Sequence, residues 1–346
     1  MKAAVLHGRE DVRIVRVSIP PLAVGEVLLR NHVALTCGTD VKVFRRGYHA
    51  RMIVPPAIFG HEVSGVVEEI GPEVENVRPG AAVVVANSAP CGVCEYCQKG
   101  RQNLCDDLLF WNGAYAEYSR IPARLVRANL VLHPAGVTHR QAAMVEPLAC
   151  AVRGVEACAI ERGQTVAVIG VGALGLMLVA LAHRRGATVV ALGRNRDRLL
   201  RAQALGANET VSTHDEPDLV SALRRRSPGG RGPEIVIETA GTKETAEAAL
   251  QAVRKGGLVN LFAGCPVETR LTVDAPRLHY DELTVTSTFH HTPTSVREAL
   301  QLVTHSGVDP EAFITDEASL DQVPEVFRRL ALAADGLKTA IMPLRG

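Results

Sequence analysis

Very little charge of one sign is left over in this sequence. Lysine and arginine total 38 against 37 aspartates and glutamates, a net charge of +1, so bulk electrostatics would not hold a nucleic acid or a membrane surface. Long apolar runs are missing as well. The longest, around Leu174 to Ala182, is well short of the ~18 residues of a membrane span. Met1 to Gly8 contains no extended apolar core, and Arg9 and Asp11 follow at once; no secretory leader is expected, and the cytoplasm is the expected location. Aromatic residues make up only 4% of the chain, which by itself excludes no class. Repeats and low-complexity segments are also missing. What remains, 47% hydrophobic and 22% charged residues over 346 positions, is the composition of a soluble globular enzyme. At ~150 residues per domain the length suits two domains.

The texture changes near residue 150. Before it, short apolar or alternating runs such as 27–33 and 63–70 are separated by Pro20-Pro21, Gly71-Pro72 and Pro79-Gly80, predicting a small β-rich barrel with few helices. From 151 on, strand-like runs at 165–169, 188–192, 234–238, 257–262 and 283–287 alternate with helical stretches, the first reaching about Arg185. That alternation predicts an α/β, doubly wound parallel sheet. The last ~55 residues read as helices at 295–305 and 323–334 and a strand at 338–342; periodicity leaves open which domain they join.

Three groups of residues carry chemistry. Cys37-Gly38-Thr39-Asp40 and Gly60-His61-Glu62 offer a thiolate and an imidazole with carboxylates alongside, half of an open zinc site that keeps a position for substrate. Glu146, a carboxylate in the apolar run 144–150, is costly to bury without a partner and is the favoured further ligand, with Cys150 as its rival. Glu62 either binds directly or stands just outside. Separately, Cys91-x2-Cys94-x2-Cys97-x7-Cys105 places four thiolates in one polar loop, a closed structural zinc site. The competing iron–sulfur reading fits poorly, because the x7 gap matches neither common ferredoxin spacing. Clustered cysteines in a reducing compartment suggest metal before disulfides.

The third group is Gly170-Val171-Gly172-Ala173-Leu174-Gly175, a GxGxxG that follows one predicted strand and opens a helix, the context in which glycines let the backbone approach a pyrophosphate. About 20 residues on, where an acidic residue would grip a ribose 2′-hydroxyl, stands Gly193, followed by Arg194 and, a little later, Arg198. With no carboxylate to repel a 2′-phosphate and arginines to bind it, NADP(H) is preferred. NAD(H) is possible if Asp197 takes the ribose, although Asp197 is expected to cap the next helix.

The order Cys-Gly-Thr-Asp, Gly-His-Glu, four-cysteine loop, Glu-Pro-Leu and GxGxxG resembles the zinc-dependent medium-chain alcohol dehydrogenases over essentially the whole chain, and its Glu-Pro-Leu is similar to the polyol, butanediol and threonine branches. The resemblance implies a discontinuous catalytic domain, GroES-like, of residues 1–150 and 290–346 around a Rossmann domain of 151–289. It implies two zinc ions per chain, and a homo-oligomer, commonly a tetramer, otherwise a dimer. It also implies Cys37 and His61 as ligands, Glu62 and Glu146 as ligands or partners through water, Asp40 as the carboxylate orienting the imidazole, and Thr39 as acceptor of the substrate proton. The implied reaction joins a secondary alcohol, polyol or sugar-like, to its ketone.

Two departures stand out. Lys42 and Arg153 occupy positions where relatives usually have histidine, so the outer proton relay could fall to Lys42 or His49, and Arg153 is either a surface arginine or faces an anionic substrate. Tyr48, His49 and Trp111 are further candidates for the pocket lining, and His290-His291 reads as structural histidine before a substrate contact. The other classes to weigh are a zinc-free quinone-type reductase and a zinc-ribbon interaction protein.

Overall fold

The structure is a computed structural model that describes residues 1–49, 51–305, 307–332 and 336–345. The chain divides into two compact units, Met1–Ala149 with His291–Gly346, and Cys150–His290.

In the first unit the strands Leu130–Leu132, Ala82–Val85, Glu62–Ile70, Val27–Leu35, Lys338–Met342 and Ile314–Ser319 lie side by side in that order, with Tyr118–Ile121 also paired to Val27–Leu35. A smaller sheet joins Asp11–Arg16, Lys2–Gly8 and Ala57–Ile58. The carboxyl-terminal strand therefore belongs here: Ala340 pairs with Leu35 and Ile341 with Ala34, antiparallel. Fully buried Leu6, Leu29, Phe59, Tyr115, Ile121 and Phe327 form the centre of the core beneath these strands.

Helices are more frequent before residue 150 than the reading above expects. Gly38–Arg46, Ala123–Asn129, His139–Ala143 and the start of Val145–Glu156 all fall there. Thr138 and Gln141 form a reciprocal capping box at the start of His139–Ala143, a legible signature that short β-like spacing obscures. The late helix runs Val323–Ala331; positions 333–334 of its expected span lie outside the described residues.

The second unit is a six-stranded sheet in the order Glu209–Ser212, Thr188–Gly193, Thr165–Ile169, Ile235–Glu238, Leu258–Leu261, Thr284–Ser287, with every pairing parallel. Going outward from the first strand in both directions, this is the doubly wound Rossmann order. Thr165–Ile169 is buried along its whole length, as a central strand covered on both faces must be. Glu209–Ser212 was not expected: at an edge, with only Val211 fully buried, it has no apolar run to announce it.

Candidate active site

Cys37 caps the helix Gly38–Arg46. Its Sγ accepts the backbone N–H of Thr39 at 3.4 Å, and Asp40 reaches back to accept the N–H of Cys37 at 3.3 Å. The same four residues thus open a helix and hold a thiol at its amino end. His61 precedes the strand Glu62–Ile70 and follows Gly60, whose φ is +90°. A Cβ on Gly60 would also lie 2.7 Å from the Tyr115 ring, so both backbone and packing require glycine there.

Asp40 joins these pieces. Its Oδ1 lies 2.9 Å from His61 Nδ1, and its Oδ2 accepts from the Tyr115 hydroxyl at 2.7 Å. All three side chains are buried. Burial alone would lower the pKa of His61, but the Asp40 carboxylate and then Cys37 outweigh it and hold it well above the ordinary value. Burial, with Asp40 next, raises the Tyr115 phenol well above its own, so it remains a donor.

Ligand atoms of Cys37, His61 and Glu62 all lie within 4.8 Å of one another, a donor set that could hold a metal ion. Glu62 is also gripped by Lys338, whose Nζ lies 2.6 and 2.5 Å from its two oxygens and 3.0 Å from Thr36 O. Glu146 is outside that trio. It is nonetheless buried, and burial pushes its carboxyl up to about 7 against the opposing field of His61. Its Oε1 is 3.5 Å from Nε2 of buried His291, which also meets Asn87 Oδ1 at 3.2 Å. Thr39 is half-buried, two residues beyond Cys37.

Lys338 and Tyr115 are the residues that sequence reasoning missed. A lone lysine heading an otherwise apolar strand was a usable signal, since a buried ammonium needs a carboxylate; nothing distinguished Tyr115. Of the proposed pocket-lining residues, Tyr48 is 59% exposed. Trp111 donates to Arg120 O and lines, with Met1, Val17, Ile58 and Tyr118, a cavity of about 450 Å³ to which neither Cys37 nor His61 contributes. Arg153 is half-buried on the helix Val145–Glu156, and its Nε has no hydrogen-bond partner among the described residues.

The four loop cysteines come together as expected, with all four sulfurs within 4.8 Å. Gly92 and Gly100, at φ +81° and +73°, make the turns on either side of the short helix Glu95–Gln98. Backbone N–H groups of Val93 and Cys94 point at Cys91 Sγ and bring its pKa down to about 6, while burial pushes Cys97 up to about 12. Four thiols crowded in this way are the donor set of a closed tetrahedral zinc site.

In the second unit, Thr165–Ile169 runs into Gly170 (φ +106°), and Gly172 caps Ala173–Arg184 with no side-chain hydrogen bond to the first turn. A Cβ on Gly175 would be 1.9 Å from Gly170 O, whereas one on Gly172 would meet nothing within 4 Å. Gly170 and Gly175 therefore pack loop against helix, and Gly172 leaves open space before a first turn, at Ala173 and Leu174, that has no side-chain cap among the described residues, which fits a pyrophosphate. Beyond Gly193, Arg194 is exposed and Arg198 half-buried. The cap of Arg196–Ala204 is Asn195, accepting from Arg198 N, and not Asp197, which falls exposed in the first turn; Asn195 is the first residue able to reach the N3 amide.

A Rossmann cradle in one unit, and in the other a thiol–imidazole–carboxylate set and a separate cysteine cluster, define a nucleotide-dependent dehydrogenase of zinc type. Residues 23–129 match the alcohol dehydrogenase GroES-like domain and residues 173–305 the zinc-binding dehydrogenase family. The chain belongs to the zinc-dependent medium-chain alcohol dehydrogenase family and is an oxidoreductase. It is 32% identical to the L-threonine 3-dehydrogenase of Bacillus subtilis, covering 95% of this chain and 94% of that one. With the sorbitol dehydrogenase of the same organism it shares 28% identity, covering 100% and 98%. A zinc-binding dehydrogenase from Sinorhizobium meliloti 1021, solved bound to NADP, is 30% identical with 99% of each chain covered and a TM-score of 0.91.

Proposed function

We propose that this oxidoreductase interconverts a secondary alcohol, polyol or sugar-like, and its ketone, using NADP(H). The observation that carries the reading is the convergence of half-buried Cys37 with buried His61 and Glu62, with His61 oriented by Asp40. Those three, with Glu146 as a direct ligand or a partner through water, would hold the catalytic zinc, and Cys91, Cys94, Cys97 and Cys105 the structural one. Bound there, zinc supplies Lewis acidity that lowers the pKa of a substrate hydroxyl, and the nicotinamide supplies the hydride acceptor.

The chain's own contribution can be derived group by group. Asp40 accepts from Nδ1 of His61, leaving Nε2 with its lone pair for a metal. Lys338 compensates the charge of Glu62, so that a buried carboxylate next to two other ligands is tolerated. The Thr39 hydroxyl takes the substrate proton. Gly172 and the first turn behind it receive the pyrophosphate, and Arg194 and Arg198 bind the 2′-phosphate. The NADP-bound relative supports that cofactor preference, as does the bare backbone at Gly193.

A second reading, an amino alcohol of threonine type or a butanediol, is favoured by the similarity to L-threonine 3-dehydrogenase and by Arg153, whose half-buried guanidinium would suit a substrate carboxylate. A coupled absorbance screen of polyols, sugar alcohols and amino alcohols with NADP+ and NAD+ separates the two. Turnover confined to amino alcohols, threonine included, with Arg153→Ala raising KM selects the second, and no turnover on any member with either cofactor sinks both. Elemental analysis should find two zinc ions per chain; one would favour a reductase without catalytic zinc.

A cytoplasmic homo-oligomer, tetramer or dimer, completes the proposal. The edge strand Thr284–Ser287 pairs on one side only among the described residues, and Val285 on it is exposed along with nearby Tyr280 and Phe289. Light scattering after gel filtration tests this, and a monomer at micromolar concentration refutes it.

A further inference from the structure

The glycine at position 193 is not there for its backbone. Its φ lies outside the left-handed region, so any residue could adopt the conformation. What excludes a side chain is a neighbour: a Cβ built on Gly193 would lie 2.1 Å from Val171 Cγ2, 3.3 Å from Val171 Cβ and 3.5 Å from Val171 Cγ1. Val171 is the second residue of the glycine-rich turn, 22 positions earlier in sequence, and is only 5% exposed.

Neither partner can easily retreat. A β-branched side chain has restricted χ1 freedom, so the Val171 isopropyl group is not a flexible tip that swings aside at little cost. Its backbone is held on both sides. The Thr239 hydroxyl lies 3.0 Å from Ile169 O and 2.8 Å from Gly170 O, and Gly170 N donates to Leu192 O at 2.8 Å, tying the turn to the strand that ends in Gly193. Gly193 O in turn accepts from Thr213 N at 2.9 Å, which fixes the strand end from its other side.

We propose that Val171 is a specificity-determining residue for the nucleotide: its isopropyl group fills the space through which a side chain at position 193 would leave the backbone. The inference rests on the NADP(H) reading above and deepens it. Selection against a carboxylate at the ribose end then lies in two residues from different segments, and the place is kept bare for the 2′-phosphate that Arg194 and Arg198 would bind. A change from NADP(H) to NAD(H) requires both positions to change together, because an acidic residue at 193 alone collides before it can reach a ribose.

The test uses four full-length proteins: wild type, Val171→Ala, Gly193→Asp and the double variant. Thermal midpoints of the nucleotide-free proteins and dissociation constants for NADPH and NADH, read from nicotinamide fluorescence, are measured on each. Gly193→Asp alone should melt lower than wild type and bind both nucleotides more weakly. The double variant should regain the midpoint of Val171→Ala and shift the NADPH-to-NADH preference toward NADH by roughly tenfold or more, the scale of one hydrogen bond to a charged group. If Gly193→Asp melts with wild type, Val171 blocks nothing and the inference fails while the cofactor reading stands. If the double variant folds and its preference is unchanged, or wild type already favours NADH, the cofactor reading fails with it. Should the double variant not fold, Gly193→Ala with and without Val171→Ala carries the steric test, and equal midpoints in that pair overturn it.

Discussion

Lys338 Nζ and the two oxygens of Glu62 are 2.6 and 2.5 Å apart, with both side chains shielded from solvent. Burial works against the ammonium, but the field of Glu62 outweighs it and raises the Lys338 pKa, so the lysine remains charged. Removing one member of such a pair strands the other, at a cost of about 3–5 kcal/mol, whereas removing both can be nearly neutral. Lys338→Met should therefore lose about that much unfolding free energy in denaturant titration, and Lys338→Met with Glu62→Gln should recover most of it. Equal losses in the single and double variants would show that the pair is not coupled.

Asp40 has one oxygen on His61 and the other on Tyr115. Asp40→Asn keeps the shape and removes the charge that raises His61, so zinc affinity, measured by competition with a chromophoric chelator, should fall about 10–100-fold with little change in melting. Tyr115→Phe should behave in the opposite way. It leaves Asp40 Oδ2 and Leu35 O without the hydroxyl, costing about 1–3 kcal/mol of stability. Unchanged zinc affinity in Asp40→Asn would remove Asp40 from its positioning role.

The loop cysteines should act as one unit. Cys97→Ser should leave one zinc fewer per chain by elemental analysis, and a strong chelator should lower the thermal midpoint of wild type by more than that of the variant. Equal zinc content in the two proteins would mean that the cluster holds no metal.

Away from these sites, His139 stacks on His32 at 4.3 Å, meets Ser64 Oγ at 2.8 Å, and faces His133. Burial first, then the neighbouring His32 and His133, lower its pKa to about 4 from 6.5. The unfolded chain thus binds more protons between about pH 4 and 6.5. The stability from a neutral His139 is full above that window and is lost as pH falls through it. His139→Gln should flatten the acid side of a stability-versus-pH curve, discounted because the ring is only half-buried. A curve that stays parallel to wild type from pH 7 to 4.5 would refute the assignment.

Much of this fold was legible because each unit has its own period. Two strands of the second unit, 165–169 and 188–193, are apolar runs that end at a glycine, and five of the six strands were readable; Glu209–Ser212, at an edge and mostly polar, was not. The first unit was harder, because Thr138–Gln141 and Cys37–Asp40 spend polar residues on helix caps that resemble loops or metal motifs. The candidate metal donors were visible as residue types at telling spacings. Their supports were not: Tyr115 and Lys338 reach Asp40 and Glu62 from 75 and 276 positions away, and only tertiary pairing brings them there. Val171 and Gly193 illustrate the same limit, since a glycine read for what it lacks proved to be dictated by what stands over it.

The pairing of Ala340 with Leu35 has a consequence for the order in which the protein can be made. The strand Val27–Leu35 waits for Lys338–Met342 through the synthesis of the whole second unit, and the counter-charge for Glu62 arrives on that same late strand. The nucleotide-binding unit, continuous from 150 to 290, can close before this happens. A chain stopped before Lys338 would carry an intact cradle and a half-finished sheet, with a buried carboxylate and no cation to meet it.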